Sequence, residues 1–362
     1  MRGDARLSIR EVASAAAVSV ATVSRVLNET GPVREDTRFR VLEVIARLGY
    51  VPHAAARSLI TRQTRTLGVV LPDVYGEFFS ELIRGADTTA RGRGYHLLIS
   101  GAHSDLDETR EVLRTLHGRV DGLALMAPAA DDEALEGSLP PQLPVILLNS
   151  TGRSGRYGSL CVDNHGGMRA MTHHLVRLGH RRIAFIQGPA GNQDAADRLR
   201  GYRDGLSAAH IARDAALELP GDFSEELGHQ AAARLAVMAP RPTAVVAAND
   251  AMAIGCLSGL REHGLRVPAD IALAGFDDIP IARFVTPALS TVRVSIAEFG
   301  NRAIERLVDS LEGGAPLANW QEVLPTTLVI RNSCGARARG APVRPQTART
   351  ANHAAERRRN RR

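Results

Sequence analysis

The chain has 362 residues and no lysine, so all 45 of its Lys+Arg positions are arginine. Cysteine is almost as scarce: Cys161, Cys256 and Cys334 lie far apart, in no CxxC or Cys/His spacing. That pattern argues against a zinc ribbon or a disulfide framework, and the three read as reduced structural thiols. Long apolar runs are missing too. Nothing approaches the roughly 18 uninterrupted residues of a spanning helix, and the N-terminus lacks a basic, apolar and small-residue signal peptide. The expectation is a cytoplasmic protein with no membrane partner. A nucleophile elbow, a Gly-rich phosphate loop and a spaced pair of catalytic carboxylates are also lacking. Asp277 and Asp278 are adjacent in an expected loop, where side chains diverge, so the expectation is no enzyme, no catalytic residue, no cofactor and no metal.

What is present is enough apolar residue, 44%, to bury substantial cores in a chain too long for one compact domain. The net charge of +6 hides opposite signs along the chain. Residues 1–62 carry ten Arg and six acids, and residues 336–362 carry nine Arg and one Glu, which leaves the middle at −6. Two basic ends flank an acidic centre, and arginine suits contacts with phosphates and base edges.

The first 50 residues read as three short helices. Ile9, Val12, Ala13 and Ala16 fall at helical spacing, Ser19 supplies an N-cap hydroxyl, and Val23, Val26 and Leu27 form the stripe of a second helix. A third run, 36–48, is expected to bury Val41, Leu42, Ile45 and Leu48 before Gly49 ends it. After Tyr50-Val51-Pro52, the Ala-rich stretch from His53 to Ile60 favours a fourth helix, followed by a polar connector.

From Leu67 onward short apolar runs alternate with amphipathic helices, the pattern of parallel α/β sheets covered on both faces. Expected strands are Thr66 to Leu71, Tyr95 to Ser100, Gly122 to Met126, Val145 to Asn149, Arg182 to Gln187, Thr243 to Ala247 and Ile271 to Phe276. Expected helices include Phe78 to Arg91, Gly166 to Leu178, Ala195 to Ala209, Glu225 to Met238 and Ala251 to His263. Some 270 residues of this kind suggest two similar lobes. The segment from Ala336 to Arg362 lacks apolar periodicity and is expected to stay unfolded, either as a solvated charge run or as an auxiliary phosphate-binding tail.

Two short helices joined by Ala17-Val18 and followed by a third have the shape of a helix-turn-helix, whose second helix lies in the DNA major groove. With Val23, Val26 and Leu27 turned inward, Val20, Ala21, Thr22, Ser24, Arg25 and Asn28 are left for DNA. Arg25 can donate twice to guanine O6 and N7, Val20 and Ala21 suit thymine methyls, and Ser19 and Thr22 suit phosphates. On composition alone, a helical bundle used for dimerisation remains the alternative.

Specific runs point further. Ser8-Ile9-Arg10-Glu11-Val12-Ala13, Val18-Ser19-Val20-Ala21-Thr22-Val23-Ser24-Arg25-Val26-Leu27-Asn28 and Leu48-Gly49-Tyr50-Val51-Pro52 resemble the lac repressor (LacI/GalR) family. The likeness continues through Ala54-Ala55-Ala56-Arg57-Ser58-Leu59, which looks like that family's hinge helix, and covers about residues 6–335. It implies that Leu59 is a wedge inserted in the minor groove at a central C-G step, with Ala56 packed beside it. Three departures stand out. Ala17 replaces a usual glycine in the turn, His53 replaces the asparagine after the hinge proline, and Arg34 replaces a serine N-cap, although Arg34 can reach a phosphate by charge.

The implied fold is an N-terminal all-α helix-turn-helix DNA-binding domain plus hinge helix, then an α/β two-lobed periplasmic-binding-protein-like effector domain with two doubly wound parallel sheets. The expected boundaries are 1–52 for the DNA-binding domain, 53–65 for the hinge helix and linker, and 66–335 for the effector and dimerisation domain. Within the last, the N-lobe takes about 66–162 and 291–320 and the C-lobe about 163–290 and 321–335. Residues 336–362 form the tail.

Ligands of open α/β sheets sit beyond the carboxyl ends of strands. Residues there are Asp73, Phe78, Phe79, Asn149, Asp194, Arg198, Phe223, Asn249, Asp250 and the Asp277-Asp278 pair. Arg198 paired with Asp277, together with Asn amides, suits vicinal hydroxyls or a base edge. Asp250 also reads as an N-cap and Phe79 as core. The family resemblance implies effector contact most firmly at Arg198, Asn249 and Asp277, and also at Phe78, Asn149, Asp194 and Phe223, while Asp73 and Phe79 join the expected effector contacts from their place after the first strand. Gly76 and Glu77 stand where Asn and Pro are usual, which changes the shape of the wall after the first strand.

The function these readings imply is a ligand-responsive regulator, a repressor, that binds a pseudopalindromic double-stranded DNA operator as a homodimer. Its control would be allosteric, by a small polar effector held between the lobes, a sugar first and a nucleoside or base second. Two alternatives remain: a non-catalytic solute-binding protein, and a regulator controlled by a partner protein. The tail has no heptad pattern, so a dimer is expected and not a coiled-coil tetramer.

Overall fold

The computed structural model describes residues 7–28, 31–50, 63–102, 105–127, 137–139, 142–150, 155–314 and 316–336. The expected hinge residues His53, Ala56 and Leu59 and nearly all of the tail lie outside the described residues, and so does the side chain of Asn28.

Three helices open the chain: α1 (Ile9–Ala15), α2 (Val20–Asn28) and α3 (Glu35–Leu48). At α1 the Glu11 carboxylate accepts from the Ser8 backbone N–H at 2.6 Å, and at α2 the Ser19 hydroxyl accepts from the Thr22 N–H at 3.1 Å, so both starts are capped. Arg34 at the start of α3 makes no side-chain cap bond, and Gly49 closes the helix at φ +64°. Val12, Ala13, Ala16, Val23, Val26, Val41, Val44 and Tyr50 make the small core. One expected core residue is corrected here: Leu42 is 47% exposed and Val44 takes its place. The buried register of α3 is Val41, Val44, Ile45 and Leu48, spaced i, i+3, i+4, i+7, and Leu42 lies off that stripe. Arg40 Nε donates to the Ala16 carbonyl at 3.0 Å and ties α3 to the end of α1.

The chain divides into two compact units: residues 1–163 with 191–194 and 295–325, and residues 164–190 with 195–294 and 326–362. In the first unit a six-stranded parallel sheet runs in the order β11-β5-β4-β3-β1-β2. Its strands are β1 (Thr66–Leu71), β2 (His96–Gly101), β3 (Gly122–Leu125), β4 (Val145–Leu148), β5 (Gly158–Val162) and β11 (Gln321–Leu324). β1, β3 and β4 are buried almost end to end, as strands covered on both faces must be. The helices are α4 (Glu77–Gly92), α5 (Leu106–Leu116) and α10 (Ile296–Leu311). Gly85 of α4 lies against the Ala297 carbonyl, where a Cβ would collide.

The second unit holds a four-stranded parallel sheet, β7-β6-β8-β9, formed by β6 (Ile183–Ile186), β7 (Glu218–Leu219), β8 (Ala244–Ala247) and β9 (Ala272–Ala274). Its helices are α6 (Asn164–Arg177), α7 (Gln193–Ser207), α8 (Glu225–Val237) and α9 (Asp250–Glu262). A separate antiparallel ladder joins β10 (Thr291–Arg293) to β12 (Thr327–Val329). Strand pairing moves two of the expected lobe boundaries. Gln321–Leu324 pairs with β5 and belongs to the first unit, while Thr291–Arg293 pairs with β12 and belongs to the second. The short strands β5, β7, β10 and β11 were not among the expected elements, while β12 overlaps Leu328-Val329-Ile330-Arg331, which reads in the sequence as a closing strand.

Candidate nucleic-acid interface and effector site

On α2 the inward stripe and the free face separate cleanly. Val23 and Val26 are buried and Leu27 packs against them, while Val20 (40% exposed), Ala21 and Arg25 face solvent and Thr22 and Ser24 are half-buried. Ser19 and Thr22, expected at phosphates, join their hydroxyls at 2.9 Å at the helix start. Exposed Arg34 opens α3, where Glu35 and Asp36 in the first turn favour the helix dipole in place of the missing cap. The turn between α1 and α2 requires a left-handed residue: Ala17 has φ +54°. A Cβ makes that conformation cost about 1–2 kcal/mol, so the departure from glycine carries strain.

The second unit gathers its polar residues at the carboxyl ends of β6, β8 and β9, the edge where open parallel sheets take ligands. Arg198, on α7, is 4% exposed. Its Nε donates to Asn164 Oδ1 at 2.8 Å and its Nη1 to the Ala248 carbonyl at 2.7 Å. Nη2 stands 3.0 Å from Asp277 Oδ1, an ion contact off hydrogen-bond alignment, so that buried oxygen is neutralised without being bonded. The guanidinium lies 4.0 Å over the Phe276 ring and 5.7 Å from the centre of the Phe223 ring. The expected pair is therefore formed, and Phe223 lines the same cluster.

Asn249 is nearby, with both ends of its amide in use. Oδ1 accepts from the Met252 N–H at 3.0 Å as the N-cap of α9, and Nδ2 donates to the Phe223 carbonyl at 2.9 Å. Here the sequence reading needs correction, because the cap is Asn249 and not Asp250. Asp250 is the first helical residue and is wholly buried, accepting from the Ile279 N–H at 3.0 Å and the Thr291 hydroxyl at 2.6 Å.

Burial pushes the Asp277 carboxyl up to about 6, against the pull of Arg198. Asp250 is pushed well above the carboxylate range, first by burial and then by the charge of Asp277. Both residues of the Asp277-Asp278 turn have positive φ, +112° and +57°. That strained turn is held on both sides. The Asp277 N–H donates to the Val292 carbonyl at 2.8 Å, and Asp278 accepts from Arg293 Nε at 2.7 Å and from Arg331 Nη2 at 2.6 Å.

Sequence reasoning missed Asn164, Thr291, Arg293 and Arg331 as members of this network. Their partners lie from 15 to 53 residues away in sequence, so no local spacing announces them.

The remaining expected residues belong to the first unit. Asp73 Oδ1 accepts from the Val74 and Tyr75 N–H groups at 2.6 and 2.9 Å and shapes the turn after β1. Phe78 and Phe79 are half-buried, their rings edge-on at 5.4 Å, so Phe79 is not a core residue. Asn149 has φ +52° and is 4% exposed; its Nδ2 donates to Asp194 Oδ2 at 2.9 Å. Its Oδ1 finds no donor among the described residues. Groups of His, Cys, Asp and Glu able to hold a metal are absent among the described residues, and no helix among them is long and apolar enough to cross a membrane.

Comparison with known proteins follows the same division. The family described as "Bacterial regulatory proteins, lacI family" matches residues 8–53, and "Periplasmic binding protein-like domain" matches residues 172–334. The HTH-type transcriptional regulator GalR of Salmonella typhimurium (strain LT2) is 36% identical over 328 residues, 90% of this chain and 95% of that protein. The HTH-type transcriptional repressor PurR of Proteus mirabilis is 35% identical over 332 residues, 90% of this chain and 96% of that one. Among solved structures, the lac repressor dimer bound to operator and the anti-inducer ONPF matches with a TM-score of 0.83 at 30% identity, covering 91% of this chain and 99% of that chain. A complex of the transcriptional regulator CelR with cellobiose matches with a TM-score of 0.68 at 32% identity, covering 91% and 100%.

Proposed function

The chain belongs to the lacI family of bacterial regulatory proteins, and from that premise we propose that it is a ligand-responsive transcriptional repressor, acting as a homodimer on an inverted-repeat operator. The observation that carries this reading is the exposed Val20, Ala21 and Arg25 face of α2 over its buried Val23 and Val26. Such a face enters the major groove, where Arg25 reads guanine and the two small apolar side chains meet thymine methyls. Leu59 is proposed as the minor-groove wedge with Ala56 beside it, His53 as a further DNA contact and Arg34 as a phosphate contact. The protein works in the cytoplasm on this reading, and it carries out no catalysis.

The proposed effector is a small polar molecule. Arg198, Phe223, Asn249 and Asp277 form its contact set on the second unit, and Asp73, Phe78, Phe79, Asn149 and Asp194 its contact set on the first. A sugar fits buried groups that recognise hydroxyls, namely the Arg198-Asp277 pair and the Asn149 Oδ1 that lacks a donor. A nucleobase is the second reading, favoured by the Phe78-Phe79 pair and by Phe223 beneath Arg198. The relatives include a PurR repressor and a CelR-cellobiose complex.

The effector acts only through its difference in affinity for the operator-competent and operator-incompetent states, so a 100-fold change in operator affinity corresponds to about 2.7 kcal/mol of coupling. The test is thermal stability and operator release with cellobiose, D-ribose, D-galactose and guanine. One of them should raise the melting temperature and change DNA affinity in the wild type, and should do neither in Arg198→Ala. A compound that acts equally on both proteins contradicts the assignment.

A further inference from the structure

Asp250 has no route to solvent and no place among the effector contacts, yet its two carboxyl oxygens are spent on the segment that carries Asp277. Oδ2 takes the Ile279 N–H at 3.0 Å and Oδ1 meets the Thr291 hydroxyl at 2.6 Å, so one side chain joins the end of the turn to β10. The same strand flanks Asp277 directly: its N–H donates to Val292, and its carbonyl accepts from the Val294 N–H at 3.1 Å. Gly275 makes room for this arrangement, since a Cβ there would collide with Asp250 Oδ1. Between these anchors sit two consecutive non-glycine residues at positive φ, a conformation that persists only where the surroundings over-determine it.

We propose that Asp250 is a positioning residue of the effector site, fixing from beneath the turn the backbone that sets where Asp277 presents its carboxylate. The proposal rests on the reading of Asp277 as an effector contact.

The charged groups facing Asp250 are Asp277 and Asp278. Asp278 is matched by Arg293 and Arg331, which leaves Arg198 as the cation for both Asp250 and Asp277. One guanidinium is shared by two buried carboxylates, so Asp250 is pushed well above the carboxylate range, first by burial and then by the charge of Asp277. Asp250 accepts from both the Thr291 hydroxyl and the Ile279 N–H. An asparagine keeps a carbonyl oxygen for the Ile279 N–H and offers its amide to Thr291 Oγ1, whereas an alanine keeps neither bond.

The test uses the full chain and needs no ligand for its first arm. Hydrogen-deuterium exchange of the peptide spanning 276–282 is compared in wild type, Asp250→Asn and Asp250→Ala, with the peptides of α4 and α5 as internal reference. The expected result is at least tenfold faster exchange in Asp250→Ala, confined to 276–282 and the β10 peptide, with Asp250→Asn within twofold of wild type. Exchange that is unchanged in the alanine variant, or accelerated equally in the reference peptides, overturns the proposal; an asparagine variant as fast as alanine does the same.

The second arm titrates cellobiose, D-ribose, D-galactose and guanine. Asp250→Ala should weaken whichever of them wild type binds at least tenfold, and Asp250→Asn less than threefold. Unweakened binding in Asp250→Ala, when Asp277→Ala abolishes it, overturns the positioning role. Unweakened binding in Asp277→Ala refutes the effector reading itself, a separate failure from that of the first arm.

Discussion

Arg198 Nη2 stands 3.0 Å from Asp277 Oδ1, with both side chains about 95% buried, at the carboxyl edge of the second unit's sheet. Such a pair is costly to desolvate and costly to break, because removing either partner leaves a buried charge alone. Arg198 also braces Asn164 and Ala248, so it organises the start of α6 and the end of β8 together.

Replacing Arg198 by methionine keeps bulk and removes the charge. The expected loss of stability is about 3–5 kcal/mol in urea unfolding. Adding Asp277→Asn to that variant should recover a large part of the loss, because the orphaned carboxylate is gone. Two variants whose losses simply add would contradict a coupled pair.

The pH dependence of this pair has a definite sign. Burial lifts the Asp277 carboxyl up to about 6, above its usual value near 3.8, so the folded chain holds that proton more tightly than the unfolded chain. The contribution is present in full below about pH 4 and is lost as pH rises through about 6. Relative to Asp277→Asn, wild type should therefore lose stability between pH 4 and pH 6 and show a constant difference above pH 7. Chemical denaturation at pH 4, 5, 6 and 7 reads this directly, and a difference that moves the other way rules it out.

Ala17 occupies a left-handed position, φ +54°, between α1 and α2. Ala17→Gly relieves the Cβ strain and should stabilise the helix-turn-helix by about 1 kcal/mol, part of the gain being offset by the greater freedom of glycine in the unfolded chain. Amide exchange across residues 9–28 should slow by about fivefold. Faster exchange would mean that the turn does not carry the strain.

Arg25 and Arg34 should fail differently. Arg25→Ala removes a base-reading side chain, costing about 1–3 kcal/mol at a site with guanine in the matching position and little elsewhere. Arg34→Ser should weaken all duplexes alike and lower the salt slope by about one ion, while restoring a cap to α3 worth about 1 kcal/mol. Anisotropy titrations at several salt concentrations separate the two.

What the sequence could reveal depended on range. The faces of α2 were legible because Val23 and Val26 repeat at helical spacing, and the carboxyl ends of β6, β8 and β9 were legible because buried parallel strands are short apolar runs. Leu42 was misplaced because one residue of phase turns a side chain about 100° around the helix, which the letter alone does not reveal. The three-residue strand β10 carries almost no local signal, and its pairing with β12 decides which unit owns it. Asp250 shows the same limit, since an acid after Asn249 reads locally as a cap and only the fold brings Ile279 and Thr291 over it.

The repressor reading is tested most directly by selecting the purified full chain against a random duplex pool at physiological salt. Base readout by α2 with a paired minor-groove wedge predicts enrichment of an inverted repeat carrying guanine at the Arg25 positions and a central C-G step. Binding that falls steeply with salt and enriches no sequence would come from arginine and phosphate alone, and would contradict the repressor reading for the unliganded protein.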